Sequence, residues 1–282
     1  DSLEAIQDAT ELYEHYYGRQ LDLIANSATW ILSAGIMAFF HVLRLDALDR
    51  LYPVFQLADL TKEQFIADVH QLSQLELVDL CHDTAARMAD QSFSNYLLKY
   101  IFVDTKRISL SQMVESCFFI NKVKTIEACT ILLNIFTEEK SQKYVEEQIE
   151  SVWNRLWPDV DKFIPFFRAF FPVKPTDTLV LLKNLIDAKE QRDFDMRAIS
   201  LSRTKNEKDI DDDIIGILCA FALKEQLSTA VELLLCYYQK QPDLFEQVYT
   251  AFVREFGVNK DSKSFDYYTQ KTAVTCLCNA LE

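Results

Sequence analysis

Three short clusters in this chain hold residue types that could do chemistry. Cys81-His82-Asp83 sets a thiol, an imidazole and a carboxylate side by side, the parts of a thiol protease or a metal site. A catalytic thiol needs its base brought from across the fold and oriented by a third group, a geometry that neighbours on one turn seldom reach. Adjacent strand residues also point to opposite faces. The triplet is therefore read as a turn with a partly buried cysteine. Cys276-x-Cys278 could give two thiolates to zinc, but a structural site takes four ligands in close pairs, and no second CxC, CxxC or HxxxH occurs. Asp209-x-Asp211-x-Asp213 begins like a calcium loop, yet the sixth and twelfth places hold Ile214 and Ala220 where glycine and glutamate are needed. Acids ahead of Ile214 instead suit the N-terminal end of a helix.

Wider signatures of catalysis are missing from the sequence. No Gly-x-x-x-x-Gly-Lys-Ser/Thr, serine elbow, HExxH or paired-carboxylate pattern occurs. The expectation is a non-enzymatic chain with no catalytic residue, no metal and no cofactor of its own.

The elements that must carry these clusters are mostly helical. Of 282 residues only 4 are glycine and 6 proline, leaving little material for hairpins or phosphate loops. Hydrophobic residues make up 49% and aromatics 12%, enough for a large buried core. The net charge of −14 disfavours nucleic acid and anionic lipid as partners. Seven cysteines, an odd number, lie mostly in apolar helical contexts such as "ILCAFAL" and "LLLCYYQ", which suits reduced thiols in a cytoplasmic protein. No apolar run reaches the roughly 18 residues of a membrane span, and no signal peptide opens the chain. A start at Asp1 without methionine, and an end at Leu281-Glu282 that resembles a vector-derived scar, give the expectation of a piece cut from a longer protein.

Periodicity predicts an amphipathic linker helix over 2–26, an all-round apolar core helix over 28–43, and a short helix over 45–57 with Pro53 within or near its end. A helix over 61–76 opens with a capping box, Thr61 accepting from the Gln64 amide and the Gln64 side chain reaching back to the Thr61 amide. Weak alternation on either side of His82-Asp83-Thr84 predicts a small β-hairpin, and Asp90 caps the next helix. Three helices followed by a hairpin form a winged-helix arrangement. The remainder reads as helices only: 113–119, 124–136, 142–157, 159–171, 176–188, 214–224, 228–239, 242–256 and 268–280. Residues 191–213 are the most polar stretch and are expected to be a mobile loop. Phe163, Phe166, Phe167, Phe170 and Phe171 fall at i, i+3, i+4, i+7 and i+8, a helix face that reads as core. The expected fold is all-α with one small hairpin wing. It divides into a linker helix (1–27), a winged-helix domain (28–107) and an irregular α-solenoid or helical bundle (108–282).

A winged helix invites the question of DNA. The would-be recognition helix "TKEQFIADVHQLSQLEL" carries one lysine against two glutamates and an aspartate, and the wing adds Asp79 and Asp83 against Arg87. A surface so acidic is built for protein contact.

The segments "LYEHYYGRQL", "AGIMAFFHVLRLD", "LTKEQFIADVHQLSQLELVDL", "MADQSFSNYLLKYIFVDTKRISLSQMVESCF" and "QPDLFEQVYTAFVREFGVNKDSKSFDYYTQK", in that order, resemble the region after the ATPase module of bacterial STAND-class NTPases. These are multidomain signalling P-loop ATPases, several of which act in defence against phage. The resemblance spans nearly the whole chain and rests on segment order and hydrophobic wording. It implies an upstream nucleotide-binding module, loaded with ATP or ADP, against which the winged helix packs in the closed state. It also implies a helical array that captures a protein ligand, and assembly through the ATPase domains. Related NTPases place Met-His-Asp just after the second wing strand; here the position reads Met88-Ala89-Asp90, without the histidine. By this resemblance Arg87, Asp90 and Gln91 are the candidate interaction residues, with Asp90 capping the following helix. Two other classes remain open at the level of sequence: a winged-helix DNA-binding regulator and a general α-solenoid scaffold.

Overall fold

The computed structural model describes residues 9–193 and 210–280. Most of the loop expected at 191–213, with Asp209, lies outside the described residues, as do residues 1–8 and the Leu281-Glu282 end. The chain divides into two compact units, 1–166 and 167–282. The boundary foreseen at residue 107 falls inside the first unit, and the division between units falls within a single helix.

The first unit opens with α1 (Ala9–Ala25) and α2 (Ala28–Phe40). Ser27 caps α2 by accepting from the Trp30 amide, and nine of the thirteen positions that follow are buried, as expected of a helix apolar on all sides. The chain then makes a three-residue strand, β1 (Val42–Arg44), a 3-10 segment (Leu45–Leu51), α3 (Tyr52–Leu57) and α4 (Lys62–Gln74). The single helix expected over 45–57 is thus two pieces. Pro53 lies within the expected span, in the first turn of α3, where a proline lacks only an amide that would be unpaired anyway.

Strands β2 (Val78–Cys81) and β3 (Ala85–Met88) form the expected hairpin, but the sheet has a third member. The strand order is β1-β3-β2, all antiparallel, with Val42 opposite Arg87 and Val78 opposite Met88. Its inner face sets Leu43, Ala86, Val78 and Met88 into the core, while Val42, Arg44, Asp79, Cys81 and Arg87 face out. After β3 come α5 (Gln91–Lys99), a π-helical turn (Tyr100–Asp104), α6 (Leu110–Phe118), α7 (Lys122–Asn134), α8 (Glu139–Leu156) and α9 (Val160–Phe170). Ser109 and Asn121 cap α6 and α7. Helix α2 packs against α4 and α5, and Phe39, Phe40, Phe55, Phe65, Phe93 and Phe102 fill the core.

The second unit holds α10 (Pro175–Asp187), α11 (Asp213–Cys219), α12 (Leu227–Lys240), α13 (Phe245–Thr250) and α14 (Tyr268–Asn279). The helix expected over 242–256 is a 3-10 turn at Pro242–Leu244, then α13, then a π turn at Ala251–Glu255. The phenylalanine stripe is core as its spacing predicts: Phe163, Phe166, Phe167 and Phe170 are buried, with Phe171 half-buried.

So little glycine has a conformational consequence. Eight described non-glycine residues adopt positive φ, among them His41, Glu76, His82 and Asp83, in places where glycine usually stands. Each carries a backbone cost of about 1–2 kcal/mol.

Candidate functional site

The hairpin carries both triplets, and the structure separates their roles. Cys81 ends β2 with its side chain exposed, not partly buried as its sequence context suggests. His82 and Asp83 form the turn itself, at φ 49° and 53°, closed by the Thr84 amide donating to the Cys81 carbonyl at 3.1 Å. Two consecutive positive-φ residues in the centre define a turn whose twist matches the strands it joins. The triplet is hairpin chemistry.

Met88-Ala89-Asp90 lies at the opposite end of β3, where the strand enters α5. Met88 is buried beneath the sheet and its amide donates to the His41 carbonyl. The Ala89 amide donates to the Leu77 carbonyl, so the residue after the strand is still tied to the strand beside it. Asp90 then caps α5: its Oδ1 accepts from the amides of Ser92 at 2.7 Å and Phe93 at 3.0 Å. A carboxylate also sits well at the positive end of a helix. Beside it Gln91 donates to Asn95 along the helix, and Arg87 forms a fork on Asp79 across the β2–β3 pair. Arg87, Asp90 and Gln91 therefore cluster at one corner, each already engaged within the first unit.

The Asp90 carboxylate has a further partner that sequence reasoning missed. The Tyr17 hydroxyl of α1 donates to it, at 3.2 and 3.3 Å from its two oxygens. Burial and the neighbouring carboxylate raise the Tyr17 pKa, which keeps the phenol protonated as a donor. Tyr13 and Tyr17 stack on Tyr96, Tyr17 also meets Phe93, and Tyr13 meets Phe136. Such ring pairs contribute about 0.5–1.5 kcal/mol each beyond their burial.

A second missed residue is Asp68. It lies on the apolar face of α4 and is 1% exposed, its carboxylate accepting from Ser33, Thr29 and Gln64 at 2.7, 3.3 and 3.0 Å. Gln64 is thereby drawn away from its expected role. Thr61 does accept from the Gln64 amide, but the Gln64 side chain turns forward to Asp68 and the reciprocal half of the capping box is not made. An acid set between Phe65 and Val69 on one helical face was the available signal. His41, between α2 and β1, has its pKa lowered by burial and by Lys124 and Arg87, with Glu127 opposing.

The outer sheet face shapes a shallow cavity of about 670 Å³ lined by Val42, Asp79, Cys81, His82, Ala85 and Arg87. Its walls hold one cation already paired to one carboxylate. Around it Arg44 pairs with Asp46 and Lys62 with Asp49. The remaining sequence clusters do not assemble. Cys276 is buried and Cys278 exposed on α14. Asp212 caps α11 through the Ile215 amide and accepts from Tyr237. Among the described residues no group of three or more His, Cys, Asp or Glu side chains could hold a metal ion. Burial pushes the thiols of Cys129 and Cys219 up to about 12, which keeps both protonated. No described helix is long and apolar enough to cross a membrane.

No family model, curated protein or solved structure matches this chain.

Proposed function

We propose that the chain is the non-catalytic regulatory portion of a STAND-type signalling NTPase. Residues 28–107 act as a winged helix that packs on an upstream nucleotide-binding module, and the later helices act as an array that engages a protein ligand. The observation that carries this reading is the order helix, strand, helix, helix, hairpin, closed by an aspartate that caps the next helix directly after the last strand. Met88-Ala89-Asp90 stands at that junction, so the residue that would reach a phosphate is an alanine, and the corner works through Asp90. Nucleotide would be held by the upstream module, with ATP or ADP bound there and none here.

Protein contact is favoured over DNA contact by charge. Arg44, Lys62 and Arg87, the cations within the strands and α4, each already face a carboxylate within 2.9 Å. Phosphate binding draws on cations free to displace counterions. Two measurements test the reading. The coding sequence upstream of Asp1 should contain a P-loop, and a gene without one overturns the assignment. The purified chain should show no thermal stabilisation by Mg-ADP or Mg-ATP and no salt-dependent retardation of duplex DNA; stabilisation by nucleotide, or duplex binding that weakens steeply with salt, would point to a different function.

A further inference from the structure

Helix α1 carries three features that its packing does not require. Gly18 stands in the middle of the helix, where glycine is the poorest choice after proline, yet a Cβ there would meet nothing within 4 Å. The gap therefore serves no close approach. Gln20 buries its Oε1 with no hydrogen-bond partner among the described residues, a polar group left unsatisfied by docking. Of the side chains described on α1 only Ile24 is fully buried, while Tyr13, Tyr17 and Leu21 are half-buried and Tyr16 and Leu23 exposed.

The surface beneath is made differently. Phe93, Tyr96 and Phe136 are almost wholly covered, and it is the rings of Tyr13 and Tyr17 that lie against them. That floor is held from below: the buried Lys99 ammonium lies 5.7 Å from the Phe136 ring centre and 2.9 Å from Asp104. A helix attached by one buried isoleucine, half-buried rings and one exposed hydrogen bond belongs at the low end of a protein's local stabilities.

We propose that α1 is a strap, which opens from α5 and recloses by local unfolding while the rest of the first unit stays folded, with the Tyr17–Asp90 hydrogen bond as its clasp. When closed, the tyrosines cover the aromatic floor and Asp90 has three partners. When open, Asp90 keeps the Ser92 and Phe93 amides, so α5 persists while Phe93, Tyr96 and Phe136 become accessible. The marginality is supplied by Gly18 and Gln20. This inference concerns the first unit alone and stands or falls apart from the function proposed above.

Hydrogen exchange read by mass spectrometry on the intact 282-residue chain, across a series of low denaturant concentrations, tests it. Amides of 13–25 should exchange ahead of those in α2, with little dependence on denaturant. Gly18→Ala should slow them about fivefold. Tyr17→Phe should speed them by a similar factor, about fivefold, and leave α2 and α4 unchanged. Tyr16→Phe, an exposed ring outside the clasp, should change nothing. The strap is overturned if α1 exchanges only with the same denaturant dependence as α2. It is equally overturned if Gly18→Ala and Tyr17→Phe leave α1 rates unaltered, or if Tyr17→Phe speeds α1 and α2 alike.

Discussion

Helices α1 and α2 follow each other across a single turn, and both announce themselves by periodicity, yet they are held in opposite ways. On α2 nine of thirteen positions are buried, and the helix is locked at Gly35 against Ile101 and through Ser33 to Asp68. On α1 the contacts are one buried side chain, Ile24, tyrosine rings at half burial and one hydroxyl on Asp90. Each helix has one glycine, and the two glycines state the difference. A Cβ at Gly35 would fall 2.8 Å from Ile101 Cδ1, whereas one at Gly18 would find open space. Glycine in α2 permits a close approach; glycine in α1 only lowers helix propensity. Adjacent helices in one unit can thus belong to different stability classes, and what separates them is how much surface each one buries.

The largest effect should come from the anchor of α2. Asp68→Ala leaves the buried Ser33 hydroxyl unsatisfied and removes three hydrogen bonds, so denaturant unfolding should show a loss of roughly 2–4 kcal/mol. A loss below about 1 kcal/mol would show that α2 is not anchored there. Next, Gly35→Ala should cost about 1–3 kcal/mol through its clash with Ile101, and Ile101→Val in the same chain should recover part of it. Additive effects of the two substitutions would contradict direct contact.

A smaller effect concerns pH at the exit of α2. Burial and the nearby Lys124 and Arg87 lower the folded pKa of His41, with Glu127 acting against them, so its neutral form is the one that suits the fold. Its contribution is complete above the unfolded value near 6.5 and is lost as pH falls through the lower folded value. His41→Asn, whose side chain does not titrate in this range, should flatten the decline in stability between pH 7 and 5. An unchanged pH profile would remove His41 from the account. Least in size, Asp83→Gly should relieve positive φ in the hairpin turn and raise stability by about 0.5–1 kcal/mol, since glycine suits that backbone. A destabilised variant would mean that the Asp83 side chain holds the turn in some way beyond its φ.

The legible parts of the fold were those written in neighbouring residues. Asp90 ahead of an amphipathic run gave a cap, alternation about His82-Asp83-Thr84 gave a hairpin, and phenylalanines at helical spacing gave core. Strand β1 was not legible: Val42-Leu43-Arg44 is too short for alternation to register, and it is a strand only because β3 offers it an edge. The capping box failed in its second half for a related reason. Gln64 had two partners nearby, the Thr61 amide, which would donate to its Oε1, and the buried Asp68 carboxylate, which accepts from its Nε2 in a charge-assisted bond and turns the side chain forward. The clasp was beyond sequence reading altogether, since Tyr17 and Asp90 lie 73 residues apart.

The sequence by itself determined that this chain is mostly helical, that Thr61, Asp90 and Ser109 cap helices, that a hairpin precedes α5, and that no P-loop lies within it. Those properties follow from glycine content, capping residues and periodicity, which act over a few residues at a time. Only the tertiary structure decided that the sheet has three strands, that Asp68 ties α2 to α4, and that the aspartate after β3 is shared between the cap of α5 and a tyrosine of α1. The reason is physical. A hydrogen bond or a strand pairing depends on where two distant segments are brought by packing, and no local pattern records the distance that folding removes.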